Sequence, residues 1–386
     1  MPAISFNSKP VYLFDAVRTA VGSPFKSLKD LSAGQLGSVA VAALIERSRI
    51  EPGFVDEMIL GNTVQAGAGQ NPARQAVVLG GLPVTIPAYT VNNVCAAGLQ
   101  AVVLAGQSIA LGSAHCVIAG GAESATRTPH LFSKLVETPF DEREPVDSLI
   151  YDGLWCALSG QHMGQLAEKL AVSRARQDEY ALESHQKAAA GKFGDEIVPV
   201  TLADKKVFNA DERIRRRLSL ENFKTLPPAF AENGTVTSGN ASVPSDGAAV
   251  VLLGSEDLKR KSKLKPLAKV LGYASVAIKP ELTFAAAVPA VEACLKACSL
   301  KLKDIDLFEI CEAFAAQAIY TRETLKIPAE KMNIAGGDIA LGHPLGAAGT
   351  RILVTLAHAL KTQNKKYGLA AICYGGGGAM AIIIER

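Results

Sequence analysis

Three residues of this 386-residue chain stand where covalent chemistry is feasible. Cys95, in "NNVCAAGLQ", follows "AYTVN", a short strand by its pattern, and precedes "AAGLQAVVLAGQSIALG", whose apolar spacing predicts a helix. A thiol at a helix N-terminus lies near the positive end of the dipole and near unpaired N–H groups, which favours thiolate. Taken alone, a cysteine at a turn is more often a small packed hydrophobe. His343 lies in "ALGHPLGAAG", with Pro344 fixing the backbone after it and Gly342, Gly346 and Gly349 permitting close approach of another chain segment or a ligand. Cys373, in "AICYGGGGAM", ends an apolar strand that runs into four glycines, a run able to turn backbone N–H groups toward an oxyanion. A cysteine with a nearby base is the pattern of nucleophilic catalysis, provided the fold brings the two together.

An internal repeat supplies that meeting. Residues 43–61, "ALIERSRIEPGFVDEMILG", can be laid on residues 293–311, "ACLKACSLKLKDIDLFEIC": each reads as an amphipathic helix, a polar turn and an apolar strand. At nearly the same offset "CAAGLQAVVLAGQSI" lies on "GAAGTRILVTLAHAL", and "AHCVIAGGAES" on "LAAICYGGGGAMAIII". His343 then sits at the second half's counterpart of the Cys95 turn, and pseudo-symmetry would make the two face each other. Each half alternates strands and helices, so the expected class is layered α/β. We expect the first half at 1–123 plus 244–262 and the second at 263–386. Residues 124–243 are more polar, carry the only tryptophan (Trp155), the basic run "DERIRRR" and a Pro-Pro step, and read as an inserted cap over the site rather than part of the sheet. "SGNASVPSDGAAVVLL" returns to the first half as a strand, and "KRKSKLKPLAKV" reads as the linker into the second.

Composition narrows the function. The chain is 48% hydrophobic, 20% charged and only 6% aromatic, with 34 glycines, as expected where helices lie closely on sheets. A formal charge of +3 and the absence of basic tracts interleaved with aromatics argue against nucleic acid. Seven irregularly spaced cysteines without a C-x-x-C pair suit a reducing compartment, and neither a disulfide framework nor a metal site is expected. The N-terminus lacks an apolar targeting core and no charge-free run approaches a membrane span, so the expected location is cytoplasmic, with no membrane partner.

"NNVCAAG", "GNAS", "EAFAAQ", "NIAGGDIALGHPLGAAG" and "CYGGGGA", in this order and spacing, resemble the thiolase family of acetyl-CoA C-acetyltransferases and 3-ketoacyl-CoA thiolases. The likeness runs from "DAVRTAVG" to the last strand. It implies a five-layered α/β/α/β/α fold of two duplicated halves with a cap loop domain over a coenzyme A tunnel, assembled as a homodimer or homotetramer. It also implies acetyl-CoA condensation or 3-ketoacyl-CoA thiolysis by a ping-pong route, with acyl-CoA and CoA as substrates and no metal or redox cofactor. By position, the resemblance makes Cys95 the acyl-accepting nucleophile, His343 its base and Cys373 the acid/base for the second substrate. The N–H groups of Cys95 and Gly375 match oxyanion donors. His162, Met163, Ser242, Ala313 and Phe314 match the lining of the pantetheine channel, and Arg215 matches a contact with the CoA nucleotide.

The departures carry information as well. Cys311 stands before "EAFA" where an Asn or His is usual, a weak donor at a position that helps complete an oxyanion site. Thr283, in "LTFAAAVPA", replaces a common pocket methionine, "NASVPSDGAA" has Val-Pro-Ser where Gly-x-Asn is expected, and Gly378 and Ala379 alter the end of the last motif. An altered acyl pocket is therefore expected. Two alternatives stand beside the thiolase reading: a decarboxylating ketoacyl synthase on the same fold, against which Cys373 and its glycines argue, and a CoA-binding protein of low turnover, suggested by Cys311.

Overall fold

A computed structural model of the chain describes residues 3–6, 9–133 and 144–386. The first half runs β1 (Val11–Thr19), α1 (Ala33–Ser48), β2 (Glu57–Gly61), α2 (Pro72–Leu79), β3 (Ala88–Val91), α3 (Ala97–Leu111) and β4 (Cys116–Ser124). The inserted stretch contains α4 (Met163–Glu168) and α5 (Arg174–Ala190), after which β5 (Asp246–Ser255) returns to the first half. The second half is β6 (Ala268–Ala277), α6 (Ala287–Ala297), β7 (Leu307–Ile310), α7 (Ala315–Leu325), α8 (Asp338–Leu341), α9 (Leu345–Thr362), β8 (Tyr367–Tyr374) and β9 (Gly378–Glu385).

Strand order β7-β8-β9-β6-β1-β5-β4-β2-β3 makes the duplication visible. Within the first half β1, β5 and β4 pair antiparallel and β4, β2 and β3 parallel; within the second, β6, β9 and β8 pair antiparallel and β8 and β7 parallel. The halves join where β1 meets β6, Val11–Leu13 against Ala268–Val270. The position of β3 is filled in the second half only by a single bridge, Phe308 to Met332.

Strands buried on both faces alternate their side chains between two layers. Val250 and Leu252 of β5 face α1, while Val251 and Leu253 face a central core shared with Leu99 and Val102 of α3 and Ile352 and Leu356 of α9. Ile382 and Ile384 of β9 enter the same central core, and Ile383 packs with Val291 of α6 and Ile319 of α7 on the far side. The order is therefore helix, sheet, helix, sheet, helix, with α3 and α9 in the middle. Gly98 and Gly121 allow that middle layer: a Cβ on either would meet the Gly346 carbonyl oxygen, at 2.7 and 1.9 Å.

Three expectations need correction. Helix α3, with Val94–Leu111 uncharged at mean hydropathy 1.7, is long and apolar enough for a membrane span; its apolarity is explained by burial between two half-sheets. The basic stretch expected as a linker finishes a helix, Glu256–Ser262, and begins β6. Ser255 caps that helix by accepting from Leu258 N, with acids in its first turn and bases in its last, as the helix dipole favours. The inserted stretch does more than cover the site, because Ile197–Val198 pairs with β1.

Candidate active site

Cys95 is half-buried at the turn between β3 and α3. The capping position of α3 is Ala96, which offers no side-chain bond, and Cys95 stands one residue outside it. The asparagines before it explain the turn. Val94 has φ 49°, a conformation that costs a β-branched residue of order 1–3 kcal/mol. It is held there from both sides: Val94 N donates to Asn92 Oδ1 at 2.9 Å, and Thr63 Oγ1 donates to the Val94 carbonyl at 2.9 Å. Asn92 in turn donates to the Thr63 carbonyl.

His343 arrives from the second half after Gly342, which has φ 105° and leaves no space for a Cβ beside Ser245. The "GNASVPSD" loop holds both neighbouring motifs. His343 N donates to the Val243 carbonyl at 2.9 Å, Ser245 N to the His343 carbonyl at 3.1 Å, and Ser242 N to the Ala313 carbonyl at 3.0 Å. Cys373 is buried at the end of β8, its Sγ 4.0 Å from the Phe284 carbonyl. The glycine turn that follows brings Gly375 beside Val94 and Met163: a Cβ there would lie 3.7 Å from Val94 Cγ1 and 3.8 Å from Met163 Sδ. Thr283 is buried beside this turn. It is a strap on this turn, donating to the Tyr374 carbonyl at 2.7 Å and accepting from Gly377 N at 3.3 Å.

Electrostatics at the meeting point are unusual for so apolar a fold. His343 Nδ1 lies 3.1 Å from Asp338 Oδ1 and 3.7 Å from Cys311 Sγ, while Nε2 is buried without a partner among the described residues. Burial lowers the imidazole, but Cys311, Asp338 and Cys95 reverse this and hold it well above its ordinary value. Burial would likewise raise the Asp338 carboxyl; Arg351, 2.6 Å away, and His343 hold it well below the carboxylate range. Burial, with the Asp338 charge adding, pushes the Cys311 thiol up to about 12, so it is neutral. Burial also raises Cys373 far above the ordinary thiol value, so it too is a neutral thiol. Donor atoms of Cys311, Asp338 and His343 lie within 4.8 Å of one another, but Arg351 occupies the second oxygen of Asp338 and its charge opposes a cation there.

From Cys373 an aromatic wall leads outward. Phe284 meets Phe314 edge-on at 5.1 Å, Phe314 meets Phe230 at 6.1 Å, and Phe230 stacks on His162 at 4.8 Å. His162 caps α4, its Nδ1 accepting from Gly164 N at 3.0 Å, and burial lowers its pKa, which keeps the ring neutral. Met163, Ser242, Ala313 and Phe314 border the same wall. Arg215 is apart from it, exposed on a loop at a cavity of about 150 Å³ shared with His185, Arg213 and Ser238. His185 is pushed down to about 4 by burial and then by the two arginines, so the ring is neutral and the positive charge at this cavity is that of the arginines.

Among the buried ionisable side chains that were missed from the sequence, four tie the elements of the site together. Glu123 at the end of β4 accepts from Asn62 Nδ2 at 2.8 Å, Thr63 N at 3.0 Å and Gly346 N at 2.9 Å, tying the Cys95 side to the start of α9. Glu312 accepts from Tyr180, Ser184 and Asn333 and so anchors α5 behind the site. Asp338 and Arg351 are the others. The available signal was a charged residue inside an otherwise apolar run, as in "GTRILVTL". Glu123→Ala is expected to destabilise the fold by about 2 kcal/mol or more, because two buried backbone N–H groups and the Asn62 amide lose an acceptor. Urea denaturation measures this, and an unchanged midpoint would mean that those donors find other partners.

Known proteins resemble this chain along its whole length. The family model described as "Thiolase, N-terminal domain" matches residues 11–257, and "Thiolase, C-terminal domain" matches 264–386. The chain is 44% identical to an acetyl-CoA acetyltransferase of Escherichia coli (strain K12), over 98% of this chain and 99% of that one. It is 43% identical to a probable acetyl-CoA acyltransferase of Staphylococcus aureus (strain COL), over 97% and 99%. Among solved structures, human mitochondrial 3-ketoacyl-CoA thiolase in complex with CoA superimposes with a TM-score of 0.95 at 35% identity, covering 100% of both chains. The Bacillus anthracis acetyl-CoA acetyltransferase does so with a TM-score of 0.93 at 35% identity, covering 98% of each.

Proposed function

The chain belongs to the thiolase family and is a thiolase-type acyltransferase, and from that premise we propose that it works on short 3-ketoacyl-CoA or acetyl-CoA through an acyl-Cys95 intermediate. One observation carries the assignment of roles: His343 Nε2, buried and unpartnered, belongs to a ring whose charge state Cys95 influences. In thiolysis His343 takes the Cys95 proton, and the thiolate attacks the 3-keto carbonyl. The N–H groups of Cys95 and Gly375 receive the oxyanion. When the C2–C3 bond breaks, the departing acetyl-CoA carbanion takes a proton from Cys373, whose burial keeps it a neutral thiol until that moment. Incoming CoA then gives its thiol proton to Cys373 and attacks the acyl group, releasing Cys95 as thiolate beside the imidazolium. Condensation is the reverse.

In this reading the pantetheine arm runs along His162, Met163, Ser242, Ala313 and Phe314, and the nucleotide phosphates meet Arg215. Arg213 beside the exposed Arg215 at the same cavity supports the last assignment, because two guanidinium groups suit phosphate oxygens. No metal or redox cofactor enters the steps. The enzyme is read as cytoplasmic, in keeping with seven free cysteines, and as a homodimer or homotetramer, in keeping with edge strand β3 and its exposed Tyr89. Thiolysis assayed across 3-ketoacyl chain lengths tests the substrate class; no cleavage at any length would contradict it.

Cys311 makes a separate expectation. A neutral thiol donates weakly, so the enolate-like oxyanion formed from the second acetyl group is under-stabilised; one good donor is typically worth about 2.7–4 kcal/mol. Cys311→Asn is expected to accelerate the transfer half-reaction about tenfold or more, with a much smaller effect on Cys95 acylation. Single-turnover kinetics separate the two steps. An unchanged or slower transfer rate would show that Cys311 is not a weakened oxyanion donor.

A further inference from the structure

We propose that Asp338 is a positioning residue that fixes the His343 tautomer, holding the ring proton on Nδ1 so that Nε2 is left to exchange a proton with Cys95. This rests on the roles given to Cys95 and His343 above and adds the group that makes them possible.

Donors and acceptors around the ring decide which nitrogen holds the proton. Asp338 Oδ2 accepts from Arg351 Nη2 at 2.6 Å and from Glu312 N at 3.1 Å, and both of these groups can only donate. Oδ1 faces His343 Nδ1 at 3.1 Å. With Arg351 fully buried against it, Asp338 is ionised and has no proton to give. The only hydrogen bond available between Oδ1 and the ring is therefore one donated by Nδ1–H. Nε2 is then the nitrogen free to take and return a proton. The groups that face the ring are Cys95 from the turn before α3, Cys311 from the end of β7, Asp338 from α8 and, behind Asp338, Arg351 from α9. Cys311 also touches Nδ1, at 3.7 Å, but a neutral thiol cannot replace an anionic acceptor.

The geometry makes Asp338→Asn a directed test. An asparagine has one acceptor oxygen, and two fixed donors, Arg351 and Glu312 N, compete for it. Its NH₂ group then faces His343 Nδ1, the ring must accept there, and the proton moves to Nε2. The base is lost although the side chain keeps its shape. Iodoacetamide alkylation of Cys95 at pH 7 is expected to fall about 100-fold, within the range for loss of a positioned base. The defect should vanish near pH 10, where a thiol ionises without help. Equal rates for variant and wild type at pH 7 would overturn the proposal, and so would a loss of the same size at both pH values, which marks structural damage. A measurement on the unaltered protein guards against misfolding of the variant. With 15N-labelled histidine and a His343→Ala spectrum for assignment, His343 should keep its Nδ1 proton and lose only the Nε2 proton as pH rises; a neutral ring protonated at Nε2 would overturn the proposal. If instead Cys95→Ser sustains thiolysis, the Cys95 assignment fails while the tautomer result still stands or falls by its own spectrum.

Discussion

Cys95→Ser is expected to fold normally and to lose thiolysis by roughly three orders of magnitude or more. The hydroxyl occupies the same place at the turn held by Asn92 and Thr63, so nothing in the packing changes beyond one atom. The chemistry changes because an alkoxide is far harder to form at neutral pH than a thiolate, and His343 is a base matched to a thiol. Circular dichroism should superimpose on that of the unaltered protein while steady-state thiolysis collapses. Thiolysis at the unaltered rate would remove Cys95 from the mechanism.

Cys373→Ala is expected to produce the second largest effect, of a different kind. The variant should still accept an acyl group on Cys95, because His343 and the oxyanion donors are untouched, and then fail to pass it on. Removing an acid/base from one step costs about 10²- to 10⁴-fold. Cys373 is nearly fully buried, so the substitution leaves a small cavity and a modest loss of stability rather than an unfolded chain. His343→Ala should show the opposite signature, with slowed alkylation of Cys95 from the outset. A Cys373→Ala enzyme unable to form acyl-enzyme would contradict this division of labour.

The fold was legible in the sequence because duplication repeats an apolar pattern: the helix and strand at 43–61 recur at 293–311, and structurally these are α1 with β2 and α6 with β7. The turns bearing Cys95, His343 and Cys373 were legible because glycines and small residues mark places of close approach. Glu123 and Glu312 were not legible in the same way, since they act through partners distant in the chain, Gly346 and Tyr180; Asp338 and Arg351 are near neighbours in sequence, and what the sequence does not show is that the turn between them folds both charges against His343. The tie that Thr283 makes was hidden as well, because its hydroxyl's partners, the Tyr374 carbonyl and Gly377 N, belong to a turn more than ninety positions away. For α3 the sequence reading failed in another way: it found no charge-free run of membrane-spanning length, yet Val94–Leu111 is such a run, because a helix lying between two sheets needs no charged face.

The most direct test of the account is to quench the enzyme shortly after mixing with acetyl-CoA and to map the acyl group by mass spectrometry. One acetyl group on Cys95 is predicted, in the unaltered protein and in Cys373→Ala alike. An acyl group on another cysteine, or none on Cys95 while thiolysis proceeds, would contradict the covalent mechanism.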